Sequence, residues 1–295
     1  MTTTVTLTGT GTPHPAPGRA GAGALVRSGD VALQFDAGRA TVLRLAEADC
    51  LPVRLTALFV THYHSDHVVG LADVAMTRWI QHQVVQTGAL RIVTPHGCAQ
   101  EYVERMLEPY AHDIEVRMEH VGAPYPPVEI IGFAAPTTPT EVWRSGDGTV
   151  RVSAVAVHHE PVRDAVAYRV DTPDGAVVIS GDTRACSEVF ELARDAHVVV
   201  HEACRSTALA EHVKGTVFET IFSYHADTVA LGALAAEHAV PHMLLTHMIP
   251  APATDADEER FVADLRRGGY TGPVTVGRDL DTIEISDGSA TLRRG

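Results

Sequence analysis

Between positions 61 and 67 the chain reads Thr-His-Tyr-His-Ser-Asp-His, so His62, His64, Asp66 and His67 place four metal-ligand side chains within six positions. Imidazole nitrogen and carboxylate oxygen together suit Zn²⁺ and its divalent neighbours. The run follows directly on the apolar stretch 55–60 (LTALFV). Buried His and Asp need strong partners, so core packing does not account for it. One short cluster cannot surround two ions, and further ligands must come from other strand ends. Candidates stand where they are needed: His158 and His159 after residues 150–157, Asp182 after the apolar run 176–180, and His247 at the close of Leu244-Leu245-Thr246. Chemistry built where several strands end is usual in α/β folds.

The elements that must position these groups are legible in outline. Short β-rich runs bounded by Gly, Pro and Asp predict strands at 5–8, 23–27, 31–36, 55–60 and 90–94. Further strands are predicted at 150–157, 165–171, 176–180, 197–201 and 242–246. Apolar spacing predicts helices over 42–48, 71–83, 97–109, 227–238 and 257–268. Residues 122–139 carry Pro124, Pro126, Pro127, Pro136 and Pro139 and read as a surface connection around a short apolar run, with no helix crossing it. Two sets of strands, each followed by helices and without a solenoid repeat, predict two packed sheets with helices outside. The expectation is one domain over 1–295.

The chain has 295 residues, 45% hydrophobic, with a formal charge of −14. That is too apolar for disorder. No stretch is long and apolar enough for a membrane span, and the first residues lack the basic and apolar regions of a leader peptide, so the expectation is a cytoplasmic protein without membrane partners. Cys50, Cys98, Cys186 and Cys204 show no C-x-x-C spacing and predict neither a zinc knuckle nor a disulfide framework. The acidic balance argues against a broad phosphate-tracking surface.

The H-x-H-x-D-H loop, the later histidine, the Gly-Asp-Thr aspartate and the terminal Thr-His resemble the metallo-β-lactamase superfamily in order and over nearly the whole chain. The resemblance implies a four-layer αββα sandwich with a dinuclear metal site. His62, His64 and one histidine of the 158–159 pair would then hold one ion, Asp66, His67 and His247 the other, and Asp182 would bridge them. Relatives in one branch carry His-x-Pro-Val with a Tyr nine residues on, matched here by His159-Glu160-Pro161-Val162 and Tyr168. That favours His159 over His158. The ions implied are two divalent cations, Zn²⁺ first, with Mn²⁺ or Fe²⁺ as alternatives.

His201-Glu202-Ala203 and the segment from His225 to His238 resemble the ribonuclease Z branch of that superfamily. The resemblance makes His225 a general acid or a phosphate-contacting donor oriented by Glu202, with Asp66 also able to take a proton. Asp36 would orient the cluster from behind. His14, Trp79 and the 122–139 connection with Tyr125 and Phe133 are the candidate walls of the substrate site. Only 23 positions separate His159 from Asp182, which leaves no room for the long arm with which that branch grips tRNA. With the acidic charge, this predicts a metal-dependent hydrolase of a small ester-like or cyclic substrate (lactone, cyclic amide, phosphodiester or sulfate ester), nucleic acid not being its partner. A tRNA 3′-processing endonuclease is the alternative. The resemblance also implies a homodimer.

Overall fold

The computed structural model describes residues 2–286 and 288–295; the N-terminal reading above therefore begins at a residue, Met1, outside those described. The strands are β1 (Thr3–Gly9), β2 (Gly23–Ser28), β3 (Val31–Phe35), β4 (Ala57–Phe59), β5 (Leu90–Pro95), β6 (Val128–Phe133), β7 (Thr140–Arg144) and β8 (Arg151–Ala156). They continue as β9 (Val166–Thr172), β10 (Gly175–Ile179), β11 (Val198–Cys204), β12 (Met243–Ile249), β13 (Val274–Val276), β14 (Thr282–Ser286) and β15 (Ser289–Arg293). One sheet runs β15-β14-β1-β2-β3-β4-β5-β6, the other β13-β12-β11-β10-β9-β8-β7.

Strand alternation decides the layers, because successive side chains leave a strand on opposite faces. In β4, Ala57 and Phe59 enter the core between the sheets while Leu58 joins the core beneath the outer helices. In β10, Val177 and Ile179 face the first sheet while Ala176 and Val178 face Phe190, Leu231 and Phe261 of the helices on the other side. Helices therefore cover both outer faces, giving the αββα sandwich that the sequence predicts. Phe59 stacks on Phe35 at 4.8 Å and meets Tyr168 of the opposite sheet edge-on at 5.4 Å. Truncating such a ring costs about 3–5 kcal/mol, and here it would also loosen the strand that delivers His62. Tyr168 donates its buried hydroxyl to the carbonyl of Val60 at 2.7 Å, pinning the same strand end from across the core.

Several predicted elements differ. The 97–109 helix stops at Arg105, Pro109 lies in a 3₁₀ turn (Glu108–Tyr110), and a separate helix Ala111–Val121 follows. The proline-rich 122–139 segment contains the edge strand β6, which the prolines flank rather than interrupt, as edges permit. The 23-position interval before Asp182 is filled by the β9–β10 hairpin, whose register pairs Thr172 with Gly175. Among the described residues no helix is long and apolar enough to cross a membrane.

Between β11 and the helix Thr228–Glu237 lies an excursion absent from the sequence reading: the helices Ser206–Val213 and Val217–Ser223. The first buries none of its residues and the second only Phe222. Asp227 fastens both ends of it. Its carboxylate accepts from the amides of Val229 and Ala230, capping the following helix, and from the Ser206 hydroxyl and Thr207 amide at the start of the excursion.

Candidate metal centre

Parallel strands β3, β4, β10, β11 and β12 bring their C-terminal ends to one edge of the sandwich, and the candidate side chains gather there. His62 and His64 lie on the loop after β4; Asp66 and His67 start the short helix Ser65–Val68. Gly38 lets that turn in: a Cβ at Gly38 would stand 2.2 Å from the Asp66 carbonyl oxygen. Asp182 follows Gly181, whose φ of +59° and a Cβ position 2.8 Å from Thr61 restrict it to glycine. His247 arrives by a β-bulge. Glu202 pairs with Thr246 and Ala203 with Met248, leaving His247 unpaired at φ +43° and turned to the cluster.

Donor atoms of His62, His64, His159 and Asp182 all lie within 4.8 Å of one another, as do those of Asp66, His67 and His247. Asp182 stands between the two sets. Its carboxylate is 3.9 and 3.8 Å from His62 and His159 Nε2 on one side, and 3.3 and 3.4 Å from His67 and His247 Nε2 on the other. His158 points elsewhere, its Nε2 meeting Glu188 at 3.0 Å.

Hydrogen bonds aim the rings. Asp36 accepts from the Thr61 amide, the Thr61 hydroxyl and His67 Nδ1, each at 2.8 Å. With its proton committed to Asp36, the Thr61 oxygen accepts from His62 Nδ1 at 3.0 Å. One carboxylate thus sets the orientation of two imidazoles, leaving each Nε2 free for the centre. His159 Nδ1 donates to the Tyr224 carbonyl at 3.2 Å. On the far side, Glu202 accepts from His225 Nδ1 and from the Thr183 amide, both at 2.9 Å, and a ring nitrogen of His225 lies within 4.8 Å of Asp182 and His247 donors.

The electrostatics fit cations. Burial, then neighbouring His67, pushes His62 well below its usual pKa; burial and His159 bring His64 to about 4; burial lowers His159. All three are neutral donors with a lone pair to offer. Burial opposes ionisation of Asp182, but His247 and His67 overcome it and hold the carboxyl well below the usual range; His67 and His247 likewise lower Asp66. Burial pulls His67 down, yet Asp182, Asp66 and Asp36 outweigh it and raise it well above normal. His225 is raised as well, to about 9, because Glu202 overrides the effect of burial. Buried His62 Nε2, His67 Nε2 and Asp182 Oδ1 lack hydrogen-bond partners. Native interiors rarely leave such atoms orphaned, and a nitrogen-oxygen donor set in this state suits divalent cations.

The centre floors a cavity of about 500 Å³, walled by Pro13, His14, Phe218, Ile221, Phe222, Tyr224 and the 248–251 segment. Of the expected walls only His14 takes part. Trp79 is 3% exposed and donates to the Pro124 carbonyl, Phe133 packs between the sheets, and Tyr125 is exposed away from the cavity. The aromatic wall from the excursion went unread: Phe218, Ile221 and Phe222 fall at helical spacing, but over only seven residues, too short a run to stand out.

This sandwich, with its cluster at the strand ends, defines a metal-dependent hydrolase of the metallo-β-lactamase fold. Similarity to solved structures agrees on the fold. The metallo-β-lactamase fold protein YhfI from Bacillus subtilis superposes with a TM-score of 0.71 at 18% identity, covering 96% of this chain and 100% of that one. The short form of human tRNase Z gives 0.69 at 19%, covering 96% and 99%. Residues 3–251 match the family described as Anti-Pycsar protein Apyc1. A Ribonuclease Z of Mycobacterium bovis (strain BCG / Pasteur 1173P2) is 33% identical over 264 residues, 88% of this chain and 90% of that protein. One of Mycobacterium sp. (strain KMS) is 35% identical over 269 residues, 90% of each. The chain belongs to the Apyc1 family within the ribonuclease Z-like branch of the metallo-β-lactamase superfamily.

Those relatives overturn two expectations. A small ester-like or cyclic substrate, and the exclusion of nucleic acid as partner, both give way to the tRNA-processing alternative carried by the ribonuclease Z names. The charge argument failed because net charge is a property of the whole surface, whereas a scissile phosphate meets a local field in which bound cations are the largest charges.

Proposed function

We propose that the chain is a metal-dependent RNA phosphodiesterase of the ribonuclease Z kind, cutting precursor tRNA on the 3′ side, and that residues 1–295 act as one domain. The observation that carries the reading is the placing of His225, hydrogen-bonded through Nδ1 to buried Glu202 and set against a cluster assembled from both sheets. In-line phosphodiester cleavage needs a proton for the departing oxygen at that position.

His62, His64 and His159 would hold one cation, Asp66, His67 and His247 the second, with Asp182 shared between them. The histidine-rich donor set favours Zn²⁺. When bound, the cations supply Lewis-acid activation of the phosphate and of the attacking water. The protein's own groups do the rest. Asp36, through Thr61 and directly, keeps His62 and His67 facing inward. Asp66, near His247 at 3.1 Å, is placed to take the proton of the nucleophile. His225 delivers its proton to the leaving oxygen, and Glu202 stabilises the charged imidazole until it does so.

The test is cleavage of a precursor tRNA with a 3′ trailer by the Zn²⁺-loaded protein. The expected result is release of the trailer, abolished by chelator and restored by added Zn²⁺. Failure of the metal-replete protein to cut, across low and physiological salt, overturns the reading.

A further inference from the structure

Two aromatic rings close the cavity over the metal centre without taking part in the chemistry. His14 stands on the loop after β1 and Phe218 on the helix Val217–Ser223, with centroids 6.4 Å apart at 44°. Both line the cavity whose floor includes Asp66, Asp182 and His247. Phe218 is 41% exposed, a large apolar ring held at a mouth rather than in a core. No Lys or Arg lines the cavity among the described residues. Such a wall cannot follow a phosphate backbone by charge. It can hold the flat face of an unpaired base, the sequence-tolerant contact by which proteins grip single strands. A cavity of about 500 Å³ admits one nucleotide and no double helix.

We propose that Phe218 and His14 form the binding pocket for the unpaired base adjoining the scissile phosphate, and so are the residues that restrict the substrate to RNA with a single-stranded, base-bearing nucleotide at the cut. The inference rests on the RNA reading above. The base is held by one face and not by its hydrogen-bonding edge, so its presence matters and its identity matters little. The two rings are tilted against each other, so the base stacks on the exposed Phe218 ring with His14 beside it.

The experiment uses the Zn²⁺-loaded protein and a hairpin RNA with a single-stranded 3′ extension, intact or carrying an abasic residue at each nucleotide flanking the cut in turn. One of the two abasic positions is expected to raise KM about 5- to 150-fold, the range of one aromatic-base stack. Phe218→Ala should raise KM for the intact RNA by a similar factor, with the loss in KM rather than kcat. It should also erase the abasic penalty, and Phe218→Trp should restore it. With 2-aminopurine at the sensitive position, binding to the metal-free protein should quench its fluorescence in the wild type and not in Phe218→Ala. Should Phe218→Ala fold poorly, Phe218→Leu, which keeps the apolar bulk without the ring, makes the same comparison: loss of the abasic penalty supports the assignment and its persistence overturns it. Equal cleavage of intact and abasic RNA overturns this inference and leaves the phosphodiesterase reading standing. An RNA neither bound nor cut overturns both.

Discussion

The floor and the roof of the cavity are built on opposite principles. The groups of the floor come from strand ends, a bulge and the turn that follows β4, most of their polar atoms are buried, and carboxylates such as Asp36 and Glu202 orient several of them. The roof is two short helices that together bury one side chain, fastened by Asp227. Reaction chemistry needs geometry held to fractions of an ångström and receives it from the rigid frame. The proposed base contact would lie on an element with little at stake in the core, where a surface can change freely.

The contrast can be broken from the floor. Asp182→Ala removes the group between both donor sets and should cost about 10³-fold or more in kcat, with metal content by elemental analysis falling below two ions per chain. Full activity in the variant would show that the two sets do not share this carboxylate. Asp36→Ala leaves every donor in place but unaims His62 and His67, and should weaken Zn²⁺ affinity by about 10- to 100-fold in a chelator competition.

Glu202→Gln sharpens the distinction between holding and reacting. His225 has its pKa raised to about 9 by Glu202 against the effect of burial. A raised pKa means the pair stabilises the fold fully below the free imidazole value of about 6.5, and that contribution is lost as pH rises through about 9. The variant should therefore melt lower than wild type at pH 6 and nearly coincide with it at pH 10. Its His225 resonance, followed by NMR in the metal-free protein, should titrate well below the wild-type value. Coincident melting at both pH values would remove Glu202 from this role. The smallest effect belongs to the roof. Asp227→Ala should cost about 1 kcal/mol from the lost caps, with amide exchange faster across 206–223 and unchanged at β4 and β10.

The same contrast explains what the sequence could tell. His62, His64, Asp66, His67, Asp182 and His247 were legible because titratable residues directly after apolar runs cannot be core and need a shared partner. The αββα layering was legible because β4, β10 and β12 are buried on both faces and read as continuous apolar runs. The helices Ser206–Val213 and Val217–Ser223 were not read out, although Val217, Phe218, Ile221 and Phe222 fall at helical spacing, because segments of seven or eight residues carry little pattern. The bulge at His247 was equally silent, since pairing register depends on the neighbouring strand. The substrate reading went wrong because it weighed total charge and the absent arm, neither of which describes the field at the cluster itself, and the ribonuclease Z relatives outweigh both.

Asp227 closes the circuit between residues 206 and 227, so whatever lies between begins and ends at one point of the scaffold. Lengthening such a detour costs little, about 0.6 kcal/mol for each doubling, and the strain never reaches the strands beneath. The enzyme therefore carries a socket into which a differently shaped cover could be grafted, giving evolution, or an engineer, a way to exchange the molecule that is cut while the cutting machinery stays untouched.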